Sequence, residues 1–264
     1  MAKPAQEGQS QHQSANPRNL DAPYGDAYRA WKSWDDDEFG KLTKTDSAYF
    51  TAEIRRTNCK FPQNSKVLEI GFGNGAFLKY ANERKWDVLG TEINEALVKT
   101  AQACGFSAVY TDNLSAFKDD SFDLVVAFDV LEHIPQAELP DMILEIKRIL
   151  KSDRFFIARF PNGDSPFGLV YQNGDVTHVT TIGSGKLRYF AARTNMKVVF
   201  AGGAAEPILG SNFHHFLHRM VALPIKKTIN LFSNLVFFPG ANVAFCSSNL
   251  TMICQKIRPT EPRR

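Results

Sequence analysis

The sequence predicts an α/β protein: a doubly wound, mostly parallel sheet of seven strands with helices on both faces, preceded by an N-terminal arm and interrupted by a long insertion before the last strand. Three observations carry that expectation. After Pro62, short apolar runs alternate with segments of helical apolar periodicity. The glycine-rich stretch 71–75 lies directly between one such run and the next periodic segment. The runs are separated by whole helical segments rather than tight turns, as parallel neighbours joined by crossovers require.

Strands are expected at 66–71, 87–91, 108–111, 123–128 and 155–160, with helices at 75–84, 95–104 and 137–150 between them. The stretch 161–180, with three glycines and two prolines, reads as loop. A helix at 184–194, a strand at 196–200 and a final strand at 250–257 follow. Residues 201–248 form an unusually long connection, and long connections are where function concentrates. No internal repeat is evident.

Around this domain, expected at 61–258, lie segments of different composition. Residues 1–20 are rich in Gln, Asn, Ser and Pro without apolar periodicity and read as a disordered leader. Residues 21–60 mix Tyr28, Trp31, Trp34, Phe39, Tyr49 and Phe50 with the acidic run 35–38, the pattern of an arm or lid that packs on a domain. Residues 259–264 are a short basic tail.

The composition, 44% hydrophobic and 22% charged, is that of an ordinary globular chain, which excludes wholesale disorder. A net charge of +3 without a dense basic block gives no reason to expect a nucleic-acid partner. Cys59, Cys104, Cys246 and Cys254 lack the spacing of metal knuckles or a disulfide framework, and the N-terminus lacks the apolar stretch of a secretory signal. A cytoplasmic protein with free thiols is expected; the sequence leaves the oligomeric state open.

In VLEIGFGNG, residues 67–75, Gly71, Gly73 and Gly75 permit a tight turn and close approach of a ligand to the backbone. Glu92, at the end of the next strand, is placed to accept two ribose hydroxyl protons. A nucleoside-bearing cofactor follows. Dinucleotide folds favour G-x-G-x-x-G and a pyrophosphate at the helix start. Here the spacing is G-x-G-x-G, and Glu69 before the turn repels a pyrophosphate but suits a cationic amino group.

These residues resemble the first motif of the class I S-adenosylmethionine-dependent methyltransferases, a Rossmann-like family, and the similarity continues over roughly 66–160. The resemblance implies S-adenosyl-L-methionine as cofactor, with Glu69 and Gly71 near its methionine end, Glu92 with Ile93 beside it at the ribose, and Asp112 with Asn113 at the adenine. FDLVVAFDVLEHIP, residues 122–135, resembles the family's fourth motif and implies that Phe128, Asp129 and His133 lie near the transferred methyl. Ordinary packing roles also fit single residues: His133 as a helix cap, Asp129 as a turn residue.

Asp175-Val176-Thr177-His178 after the fifth strand resembles methyltransferases of surface-polysaccharide and related sugar pathways, which implies a small-molecule or glycan-like acceptor. His178 is a candidate base with Asp175 holding its tautomer. The same residues equally suit a capped turn with His178 packed beneath it. No metal is expected: His214, His215 and His218 in the insertion have no carboxylate or cysteine beside them.

Residues 228–255 carry no charge, but Asn230, Asn234, Pro239, Gly240 and Asn242 break the run, so a membrane span is not expected. Together with Arg219, Lys226 and Lys227 before it, this stretch forms a basic amphipathic segment that suits peripheral membrane contact, a lipid-linked acceptor, or a quinone or lipid precursor. The commoner arrangement, and the one expected, has Leu231, Phe232, Leu235 and Val236 packed on the sheet or a partner subunit. A non-catalytic cofactor-binding subunit and an NAD-dependent oxidoreductase are the rival functions.

Overall fold

The computed structural model describes residues 25–32, 34, 38–210 and 212–258. The expected leader at 1–20, the acidic residues Asp35, Asp36 and Asp37, and the tail at 259–264 lie outside the described residues. Two helices form the arm, α1 (Asp26–Trp31) and α2 (Lys44–Arg55). Thr43 and Asp46 close a reciprocal capping box that sets the start of α2.

The alternating region follows as β1 (Lys66–Ile70), α3 (Ala76–Glu83), β2 (Asp87–Glu92), α4 (Glu95–Ala103), β3 (Ala108–Tyr110), β4 (Phe122–Phe128), α5 (Leu139–Ile149) and β5 (Leu150–Pro161). Then come α6 (Pro166–Gly174), α7 (Ser184–Thr194), β6 (Lys197–Gly203), α8 (Phe213–Phe237) and β7 (Asn249–Gln255). All seven strands join one sheet in the order β3-β2-β1-β4-β5-β7-β6. β7 is inserted antiparallel between β5 and β6, and β1 to β5 pair in parallel. That order departs from the dinucleotide-binding order, in which a sixth strand follows the fifth directly.

The central strands are buried on both faces, which is why they read as continuous apolar runs. On β4, Val125 and Ala127 face a core shared with Leu68, Phe156, Ile143 and Ile146, while Leu124 and Val126 face one shared with Val67, Ile157, Phe77 and Leu97. Helices α5 and α7 cover the first face and α2, α3 and α4 the second.

Two expectations are corrected. The loop at 161–180 contains α6: Ser165 caps it by accepting a hydrogen bond from the Phe167 N–H, and Pro166 occupies the first turn, where a missing N–H costs nothing. Gly168 looks like a helix breaker but is required by packing, because a Cβ there would lie 2.1 Å from the Asn162 carbonyl oxygen. The long connection at 201–248 contains the 25-residue α8, capped by Asn212 and running through Pro224.

Leu231, Phe232, Leu235 and Val236 do not pack on the sheet; they are 72%, 59%, 75% and 49% exposed. The inner side of α8 carries polar anchors beside the partly buried Phe216, Ala222 and Leu223. Asn230 accepts the Cys246 N–H (2.8 Å), and the Asn234 amide both donates to the Val243 carbonyl and accepts its N–H.

Glu53 ties the arm to the far edge of the sheet. Fully buried on α2, it accepts the Ala205 N–H (2.7 Å) and the Thr251 hydroxyl (2.9 Å), and pairs with Arg56 at 2.8 Å. Glu53→Ala removes these acceptors and is expected to lower unfolding free energy by about 3 kcal/mol, read as a lower denaturant midpoint at unchanged slope.

Candidate active site

The ends of β1, β2 and β4 converge on one cavity of about 1530 Å³. Its floor begins where the chain leaves β1. Gly71 adopts φ 65° and its N–H donates to the Thr91 carbonyl (2.8 Å), and a Cβ there would lie 2.7 Å from Val130 of the β4 end. Only glycine lets the turn fold back this tightly. Trp34 and Phe39 of the arm lie over Gly73 and Gly75.

Most of the sequence candidates line this cavity: Glu69, Gly71 and Gly73 from the first turn, Glu92 and Ile93 from β2, Asp112 and Asn113 after β3, and Phe128, Asp129 and His133 after β4. Gly75 is outside the lining and opens α3.

Glu69 is 3% exposed and its Oε2 is buried without a hydrogen-bond partner. Burial, then the charge of Glu92, pushes its carboxyl well above the usual range. The Glu92 carboxylate is oriented by the N–H groups of Gly73 (3.2 Å), Ile93 (2.7 Å) and Asn94 (3.3 Å), and burial raises its pKa too. This end of the cavity is built to meet positive charge and hydrogen-bond donors.

The other end carries cations and aromatic rings. Asp129, with φ 58°, is engaged by the Arg159 guanidinium through Nε at 2.9 Å and through a second contact from Nη2. Arg159 lies over the Tyr49 ring, and Phe128 packs against Phe50 and Phe77.

His133 faces the cavity with its Nδ1 at 3.0 Å from Thr177 Oγ1 and 3.3 Å from the Thr177 carbonyl oxygen. The carbonyl only accepts, so Nδ1 carries the proton and Nε2 the lone pair. Thr177 Oγ1 in turn donates to Asp175 Oδ1 at 2.6 Å. Burial, reinforced by the neighbouring His178, lowers the His133 pKa to about 4.

His178 and Asp175 are not on the cavity wall. The His178 ring lies edge-on behind His133, 4.6 Å between centroids, with Nδ1 donating to the Gln172 carbonyl and Nε2 3.6 Å from Asp175. The expected base–orienter pair is thus turned away from the ligand, and Asp175 acts elsewhere. Burial opposes its ionisation, but Lys32 at 2.8 Å and the donors of Thr177 outweigh it and hold the carboxyl below the usual range.

Ligand atoms of Glu132, His133 and His178 lie within 4.8 Å of one another, a grouping that does not involve His214, His215 or His218. Lys32 and Arg159 escaped sequence reading, which takes Thr177 only as part of a capped turn. Arg159 left a signal: a lone charge inside the apolar run 155–160.

Residues 68–158 match the family model described as a methyltransferase domain. No curated protein matches the chain. Among solved structures, a SAM-dependent methyltransferase from Archaeoglobus fulgidus is similar at TM-score 0.62 and 21% identity, over 88% of this chain and 100% of that one. A SAM-dependent methyltransferase from Mesorhizobium loti is similar at TM-score 0.53 and 15% identity, over 79% and 97%. The [4+2]-cyclase SpnF is similar at TM-score 0.54 and 14% identity, over 83% and 84%. The last shows that this fold alone does not decide a reaction.

The match to the methyltransferase-domain model supports an enzyme with S-adenosylmethionine as cofactor. The cavity fits that cofactor chemically: the unpartnered Glu69 oxygen suits an ammonium, Glu92 suits vicinal hydroxyls, and the acidic end suits a sulfonium. Glu92→Ala is expected to weaken S-adenosylhomocysteine binding by about 1–3 kcal/mol in calorimetry, with the fold intact by circular dichroism.

Proposed function

We propose that the enzyme methylates a hydroxyl of a small, glycan-like acceptor, with the nucleophile hydrogen-bonded to His133 Nε2. The observation that carries this reading is the His133–Thr177–Asp175 chain, which fixes the tautomer of a neutral imidazole on the wall of the cofactor cavity. Bound S-adenosylmethionine supplies an electrophilic methyl on its sulfonium. In this reading Glu69 holds the amino group, Glu92 the ribose, and Asp112 with Asn113 the adenine.

The cavity exceeds the ~300–1000 Å³ of a typical ligand pocket, leaving room for an acceptor beside the cofactor. Its wall also carries Asp46, Glu138, Asp141 and Lys32, polar groups that suit a hydroxyl-rich acceptor. Positioning then supplies much of the catalysis: in-line displacement needs the hydroxyl and methyl aligned, and His133 fixes the hydroxyl. As the oxygen loses its proton, His133 takes it, and Asp175 steadies the imidazolium through Thr177. His178 is a positioning residue that packs His133 and disfavours its protonation in the resting site.

A lipid or quinone precursor is the second reading, favoured by the apolar outer face of α8. Labelled cofactor offered with a sugar-nucleotide pool and, separately, a lipid extract separates the two: label in the sugar fraction supports the first reading, label confined to the lipid fraction the second. Binding of S-adenosylhomocysteine with label in neither fraction would favour the non-catalytic subunit.

The pH profile tests His133 directly. Because its pKa lies near 4 rather than 6.5, the imidazole is unprotonated at any pH above that window. Turnover is expected to stay flat from neutral pH down through 6.5 and to fall only as pH approaches about 4. His133→Ala should cut kcat by ~10²-fold or more with cofactor affinity retained. An acid limb at 6.5 that survives this substitution would remove His133 from the role.

A further inference from the structure

Helix α8 is amphipathic the wrong way round for a helix packed on its own domain. Its 25 residues span ~37 Å. Phe213, Leu217, Val221, Phe232 and Leu235 share one outward face, spaced as one helical surface requires, and all are more than half exposed. The inward side carries the polar anchors: Arg219 to the Pro207 carbonyl, Lys226 to Glu206 at 2.7 Å, and the amides Asn230 and Asn234. So many apolar side chains on one exposed surface mark an interaction site.

Charge indicates the occupant. From 207 to 260 the sequence contains no Asp or Glu; Arg219 and Lys226 are held inward and Lys256 and Arg258 pair with Asp120 and Asp153, which leaves Lys227 as the cation beside the apolar face. An isologous contact between two copies would set two Lys227-bearing faces together with no acid on either helix to neutralise them. An anionic bilayer surface answers both features, taking the apolar face into its headgroup boundary and Lys227 at its phosphates. No helix among the described residues is long and apolar enough to cross a membrane, so α8 would lie along it.

Two contacts give this placement a consequence. At its start, His215 Nδ1 lies 3.2 Å from Thr45 Oγ1 on α2, the helix whose Asp46, Tyr49 and Phe50 line the cofactor cavity. Toward its end, the loop after α8 meets α6, where Phe245 packs edge-on against Phe167 and Val170 and Tyr171 are exposed. We propose that α8, extended by the outer face of α6, docks the enzyme on an anionic membrane surface with α2 and the cavity close to the lipid headgroups. The inference concerns where the enzyme works and does not rest on the acceptor assigned above.

The test is vesicle co-sedimentation of the full chain at about 0.1 M salt, using phosphatidylcholine vesicles and vesicles mixed with phosphatidylglycerol. Binding to the mixed vesicles alone is expected, weakening as salt rises. Leu217→Glu and Leu235→Glu should each weaken it by about tenfold or more, and Lys227→Glu should weaken it as well. Unchanged S-adenosylhomocysteine binding by each variant establishes that the fold is intact. Failure of the wild type to bind anionic vesicles, or full binding by the glutamate variants, overturns the proposal. So does a stable dimer in light scattering that Leu235→Glu splits, which would give the face to a second copy.

Discussion

The approach of the Gly71 backbone to Val130 sets the geometry on which the site depends. β1 has β2 on one side and β4 on the other, so the chain leaving β1 turns one way and the chain leaving β4 the other. A crevice opens where such connections diverge at the carboxyl ends of parallel strands. With no side chain at position 71, the first turn lies against the β4 end and brings Glu69, Glu92 and Phe128 around one space. Any side chain there would push Val130 aside and carry the residues that follow it, including His133, with it.

Charge is then divided across that space. Glu69 and Glu92 sit at one end, with no cation among the causes of their raised pKa values. At the other end Asp129 has Arg159, and behind the wall Asp175 has Lys32, whereas the buried Glu132 has neither oxygen hydrogen-bonded and is held well above the usual carboxylate range by burial and by Asp129. The acidic end is therefore incomplete without a positively charged ligand, and at the far end burial and the neighbouring His178 leave His133 neutral. Lys32 and Tyr28 both reach Asp175 from the arm, so arm closure and the polarisation of the His133 chain are one arrangement.

The alternating core was legible because parallel strands covered on both faces must be apolar along their length, as Val67-Leu68 and Leu124-Val125-Val126-Ala127 are. The glycine spacing with Glu69 and Glu92 made the cofactor end legible for a similar reason: each residue acts within a few positions of its own strand end. What failed was whatever depended on distant parts of the chain. Gly168 and Pro166 read as loop punctuation, though one is the mark of contact with Asn162 and the other opens a helix. His133 and His178 are equally good imidazoles in sequence, and only the turn at Thr177, which bonds one and hides the other, ranks them.

The outer face of α8 was the hardest case, because an apolar stripe at helical spacing ordinarily means burial. The polar residues decide its direction. Asn230 and Asn234 bond the loop at 243–246, and Ser233 is the buried residue of the helix, so rotating α8 to bury Phe232 and Leu235 would break those amide bonds. An unpaired buried amide costs about as much as burying one such side chain gains, so the chain alone has little to gain from the rotation. The inner amides therefore hold the apolar face outward, away from the rest of the described residues.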